Sequence, residues 1–278
     1  MVDVLLPLVL VVGAFAYAVG LRRLWANART ARLVGAGPAA AFAVALLVLL
    51  IALASPLEHE ATRNLPVHMV QHLLLLAVAA PLLALSDPVI VMLRALPDGA
   101  RRRVQPSVRR VLRSQTSGRG WLLWMVVAFT LSSAALILWH VPALYDAAVR
   151  HPVVHALEHV SFVATAAFFW WMALGATRRS RRGLGVLAVF AATLPATGLG
   201  IAMTLSRTTW YATYGRGPGA LHDQQVAGAL MWGFGGTALV LGAAGLFASW
   251  LASMDRLEQA PRLTPRPTPG PTQVVESS

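Results

Sequence analysis

Seven stretches of the chain run for about twenty residues with hardly a charged side chain, at roughly 4–20, 38–55, 67–85, 121–139, 153–176, 184–205 and 225–251. As helices rising about 1.5 Å per residue, such stretches match the ~30 Å hydrocarbon core of a bilayer. Between them the polar positions cluster and bring nearly all of the arginine. The pattern predicts an all-α, polytopic membrane protein with seven transmembrane helices. The first stretch is not a secretory signal, because nothing basic precedes it and Arg22 and Arg23 follow it. That is the reverse of the signal order, so it is expected to stay as a helix with its N-terminus outside.

Composition supports the class. Of 278 residues 57% are hydrophobic and 12% charged, where a soluble protein carries about 25% charged. The net charge of +12 suggests nucleic acid until the arginines are placed. Nineteen of them fall in the connections after the first, third and fifth stretches and in the tail; only Arg63, Arg150, Arg207 and Arg216 fall on the other side. By the positive-inside rule the nineteen face the cytoplasm, giving N-out, C-in, and no nucleic-acid partner is expected. The connection 86–120 carries apolar and arginine residues at helical spacing over 89–96 and 104–112. It is expected to lie along the inner headgroups, with membrane lipid as its partner. Residues 1–255 read as one transmembrane domain, and 256–278, rich in Pro and Thr, as a disordered cytoplasmic tail. Pro195, Gly198 and Gly200 predict a kink in the sixth stretch, and the glycines of the seventh predict close packing.

The chemistry lies with histidine. Cysteine is absent, which excludes disulfides, thiolate metal sites and iron–sulfur clusters. All eight histidines fall at or near the arginine-poor ends of the stretches. His68 and His72 open the third, and His155 and His159 open the fifth, each pair as His-x-x-[Gln/Glu]-His behind a proline. Residues four apart share one helix face, so each mouth aims two imidazoles the same way. One such pair is weak evidence for a metal; two at matching mouths, at a depth where polar side chains face the bundle interior, are much stronger. The candidate ligands are His68, His72, His140, His155 and His159. Met69, Gln71, Asp146, Glu158, His222, Asp223 and Met231 are further candidates for ligation or support, with Glu158 placed to hydrogen-bond a ligating imidazole. The two methionines serve packing as readily. His59, between Glu58 and Glu60, reads as a solvated loop residue. Imidazole with thioether suits copper, Cu(I) especially; imidazole with carboxylate suits zinc, iron or Cu(II).

Four ordered blocks carry a family resemblance: His68-Met69-Val70-Gln71-His72 with Pro81-Leu82-Leu83; Trp139-His140-Val141-Pro142-Ala143-Leu144-Tyr145-Asp146; His155-Ala156-Leu157-Glu158-His159 with Phe168 and Trp170; and Asp223-Gln224-Gln225-Val226-Ala227-Gly228 with Met231-Trp232. Over about residues 38–250 the chain resembles the CtaG-type cytochrome c oxidase assembly factors, to which the first stretch and the tail contribute nothing. The resemblance implies a multi-pass protein of the bacterial cytoplasmic membrane that matures a haem–copper oxidase. It further implies delivery of copper to the oxidase's catalytic subunit, for which the residues themselves offer a His/Met site between helices in the outer leaflet.

Three other readings compete. A haem-binding electron carrier also uses facing histidines, though a transmembrane carrier wants a second site at the inner face. A di-iron hydroxylase wants paired His-His motifs, which are absent. A metal transporter wants a polar path through the inner halves of the spans, which hold almost no ionisable residue. Nothing in the chain has a nucleophile–base arrangement or a phosphate-binding glycine loop, so an enzyme is not expected. Zinc or haem remain the alternatives to copper.

Overall fold

The computed structural model describes residues 2–26, 34–114, 118–177 and 182–258. It is helical throughout, with no strand among the described residues. Seven helices are long and apolar enough to cross a membrane: Pro7–Trp25, Ala36–Ala54, Leu65–Leu85, Arg119–Trp139, Pro152–Gly175, Gly183–Leu205 and Pro218–Gly245. Their outer faces carry bare apolar side chains such as Phe15, Leu123, Val160, Leu187, Leu194 and Phe234. In water those faces would drive aggregation; against lipid tails they cost nothing.

The last helix runs to Glu258; the Pro/Thr-rich stretch from Gln259 onward lies outside the described residues. The seventh span starts at Pro218, seven residues before the apolar stretch. Its first turns hold His222, Asp223, Gln224 and Gln225, whose polarity hides the helix from a hydropathy reading. Gln224 is buried because its amide finds backbone partners, accepting from the Trp210 N–H at 2.6 Å and donating to the Thr208 carbonyl at 3.1 Å. The sixth helix continues through Pro195. π-Helical turns interrupt the third span at Leu74–Ala79 and the seventh at Met231–Gly235. Such turns insert an extra residue and are frequent near functional sites.

Short helices join the spans. Pro56–Ala61 follows the second span, its start fixed by Pro56 and by Ser55, whose hydroxyl accepts from the Leu57 N–H at 3.2 Å. Pro142–Arg150 links the fourth and fifth. On the other face Pro88–Ala95 and Asp98–Ser114 fall where helical spacing of apolar residues and arginine predicted them. The half of the bundle away from the histidines is packed with Ala80, Trp121, Met125, Phe169, Trp170 and Val189. The first span is tied to that end: Tyr17 donates to the Ser86 carbonyl at 2.8 Å, and Arg23 donates to the carbonyls of Arg94, Ala95 and Leu96 at 3.0 Å each. Those are the carbonyls a helix C-terminus leaves open.

Candidate metal centre

The third span begins where Asn64 caps it, its side chain accepting from the Val67 N–H at 3.1 Å, with Pro66 in the first turn. The fifth begins at Pro152. These starts set both His-x-x-x-His pairs in the first turns, facing each other. Ring centroids lie 4.3 Å apart for His68–His72 and 4.1 Å for His155–His159. Across the helices they lie 5.0 Å apart for His68–His155 and 5.7 Å for His72–His159. Glu158 completes the group, and none of the five residues exposes more than 5% of its surface.

One ligand atom from each of His68, His155, Glu158 and His159 lies within 4.8 Å of every other. The two oxygens of Glu158 reach both histidines of the third span: Oε2 is 3.9 Å from His68 Nε2 and Oε1 is 3.5 Å from His72 Nε2. In a tetrahedron with bonds of about 2.0 Å the ligands are roughly 3.3 Å apart, so a small inward movement would close the set on an ion. Glu158 is thus a member of the group, where the sequence left it between ligation and support.

Hydrogen-bond counting fixes which nitrogens are free. The Tyr214 hydroxyl donates its one proton to the Ala61 carbonyl at 2.7 Å, so the 2.7 Å contact with His68 Nδ1 must have the imidazole donating. His68 Nε2 is left as a bare lone pair. His155 Nδ1 lies 3.2 Å from Glu58 Oε1, where a carboxylate takes an N–H, which again frees Nε2. His140 Nδ1 donates to the Leu136 carbonyl at 2.7 Å. The Nε2 atoms of all five histidines, and both oxygens of Glu158, are buried without a hydrogen-bond partner among the described residues. Buried polar atoms are seldom left so, and stranding a carboxylate costs on the order of several kcal/mol. A cation would relieve these orphans together. The donor set therefore fits a metal.

The remaining candidates divide. His140 is buried beside the group, 5.9 Å ring to ring from His72, but is not one of the four. Burial holds its pKa down to about 4 against the opposing pull of the Leu136 carbonyl, so the imidazole is neutral at pH 7 and a possible fifth or exchange ligand. Gln71 donates to the Ala52 carbonyl at 2.7 Å and to Glu58 Oε2, and so supports the group one bond removed. Asp146 accepts from Ala212 N, Thr213 N and the Thr213 hydroxyl at 3.3, 3.1 and 2.7 Å; it holds the loop that carries Tyr214. Met69 and Met231 sit in an apolar cluster with Leu65, Leu136, Tyr145 and Met203. His222 is exposed and Asp223 half-buried on the seventh span, outside the group, and His59 and His151 are exposed.

Two supporting residues escape a sequence reading. Glu58 looks like half of a solvated acidic pair; the Ser55-Pro56 helix start is readable, but its turn toward His155 and Gln71 comes from packing. Tyr214 stands 146 residues from His68, and nothing local marks it. Burial above all pushes the hydroxyls of Tyr145, Tyr211 and Tyr214 above the ordinary tyrosine range. They stay protonated, which the donation to Ala61 requires.

A family model described as cytochrome c oxidase caa3 assembly factor (Caa3_CtaG) matches residues 15–253. The chain belongs to this family. The match reaches back into the first span, which the four sequence blocks had left out. Searches of curated proteins and of solved structures find no match. Family membership makes the protein an assembly factor for cytochrome c oxidase, and its seven apolar helices make it a multi-pass membrane protein.

Proposed function

We propose that the protein holds copper as cargo between its third and fifth spans and passes it to the catalytic subunit of a haem–copper oxidase. His68, His155, Glu158 and His159 are the ligands, with His72 and His140 adjacent. The observation that carries this reading is the convergence within 4.8 Å of ligand atoms from four buried residues, whose Nε2 atoms and carboxylate oxygens have no hydrogen-bond partner among the described residues. Copper is the ion that links such a site to the family's role, since the oxidase being assembled contains it. Imidazole with carboxylate suits Cu(II), with zinc as the competitor. The expected location is the bacterial cytoplasmic membrane, N-out and C-in, with the site toward the extracytoplasmic side and the oxidase's own site at similar depth.

The fold supports holding over transport. Below the histidines the core is apolar, and the described residues there offer an ion no polar path to the other face. A carboxylate set between His68 and His72 also leaves little room for a macrocycle between those rings. Metal analysis of the purified protein, with optical and electron paramagnetic resonance spectra alongside, tests the reading. We expect one copper per chain, lost in the double variants H68A/H72A and H155A/H159A and reduced in E158Q. Unchanged copper in either double variant would refute the assignment, and a Soret band would replace copper with haem.

A further inference from the structure

A cavity of ≈ 440 Å³ lies between the end of the second span, the Pro56–Ala61 helix, the Pro142–Arg150 helix and the head of the fifth span. At about 30 Å³ per liquid water it has room for an ion with its hydration shell. Glu58, His59, Arg150, His155 and His159 are among its lining residues. His59 and Arg150 are exposed, so the cavity opens at a polar rim. His155 and His159 are buried, with unpartnered Nε2 atoms, so its floor is the metal group. His68 and Glu158 lie behind them.

Elsewhere the group is closed. The Tyr214 hydroxyl is held between His68 and the Ala61 carbonyl. The fully buried Phe162 ring lies 4.9 Å from that of His72, and Tyr145 covers His68 at 5.0 Å. Glu58 stands where the open and closed regions meet. One of its oxygens is 3.2 Å from His155 Nδ1 and the other accepts from Gln71, yet 35% of its side chain remains exposed. A single carboxylate thus belongs to both the wet rim and the ligand shell. Arg150 puts a cation on the rim as well, so attraction for a metal ion is concentrated at Glu58 and the neighbouring His59 rather than spread over the mouth.

We infer that the ion enters and leaves the ligand group through this cavity, meeting Glu58 first and then His155 and His159. The inference rests on the copper reading for the identity of the ion, but its geometry can be tested apart from copper. The chain has no cysteine, so one introduced thiol reports alone. The full-length protein in lipid nanodiscs, carrying Ala54→Cys or, separately, Thr62→Cys on the cavity wall, is treated with a small trimethylammonium methanethiosulfonate and with its sulfonate counterpart. Both thiols should react, severalfold faster with the cation. Glu58→Gln should abolish the preference. Labelled protein should load copper roughly tenfold more slowly to the same final stoichiometry, the scale at which a charged mouth governs arrival. Unreactive thiols at both positions, equal rates for the two reagents, or unslowed loading after labelling would each overturn the route. Failure of unlabelled protein to hold any copper would instead remove the copper reading, and the charge preference would still decide whether the cavity admits cations.

Discussion

In the proposed site His68 would owe its usefulness as a ligand to a tyrosine far away in sequence. Tyr214 gives its proton to Ala61 and takes one from His68 Nδ1, which fixes the tautomer and the ring orientation together. Partners of this kind typically alter metal affinity by roughly ten- to a hundredfold when removed. Tyr214→Phe is therefore expected to weaken copper binding by about that factor while leaving stoichiometry intact at saturating metal. A chelator competition titration checks it, and an unchanged dissociation constant would mean the hydroxyl merely closes the loop. Asp146 is one step further out. It touches no ligand but takes three hydrogen bonds from the Ala212–Thr213 backbone and hydroxyl. Asp146→Ala should loosen that loop and reproduce the Tyr214→Phe defect, and combining the two changes should add little, because both act through one contact.

Helix packing sets how far the site can tolerate change. The sixth and seventh spans cross where two glycines meet. A Cβ placed on Gly228 would lie 2.6 Å from the Gly200 carbonyl and 2.7 Å from the Thr204 nitrogen. Neither is a flexible side-chain end that can move aside. Gly228→Ala should therefore destabilise the bundle by about 1–3 kcal/mol, seen as a lower melting temperature in detergent. Gly198→Ala on the same sixth span meets nothing within 4 Å and should be neutral. If both variants melt alike, the crossing is not as tight as it stands here. The same elements show what a sequence can reveal. Four-residue spacing was enough to find His68, His72, His155 and His159, because a helix converts that spacing directly into a shared face. It could not show that the two faces meet, nor that Glu58 turns inward, since those follow from packing between segments. The start of the seventh span was misread for the opposite reason: Gln224 is polar in sequence but buried with its bonds satisfied by the 206–210 loop. Thioether chemistry is visible in a sequence, whereas the apolar cluster in which Met69 and Met231 pack is not.

Taken as one body, the bundle is lopsided. The His/Glu group and its tyrosines occupy one end, an apolar core fills the other, and the arginine-bearing connections leave from that apolar end. Nineteen arginines against four, each worth about 1 kcal/mol near an anionic leaflet, leave one orientation strongly favoured, with the histidines extracytoplasmic. The proposed delivery to an oxidase site in the outer leaflet depends on this, because the apolar core below the histidines offers, among the described residues, no polar path for an ion inserted from the wrong side. Reporter fusions decide it. Alkaline phosphatase folds to its active form only after export, and green fluorescent protein fluoresces when left in the cytoplasm. Fused after Glu258, the phosphatase should be inactive and the fluorescent protein bright. Fused to the chain ended at Gly217, between the sixth and seventh spans, the two should exchange behaviour. An active phosphatase after Glu258 would put the histidines in the cytoplasm; the ligand group would survive that result, but hand-over to an extracytoplasmic acceptor would not.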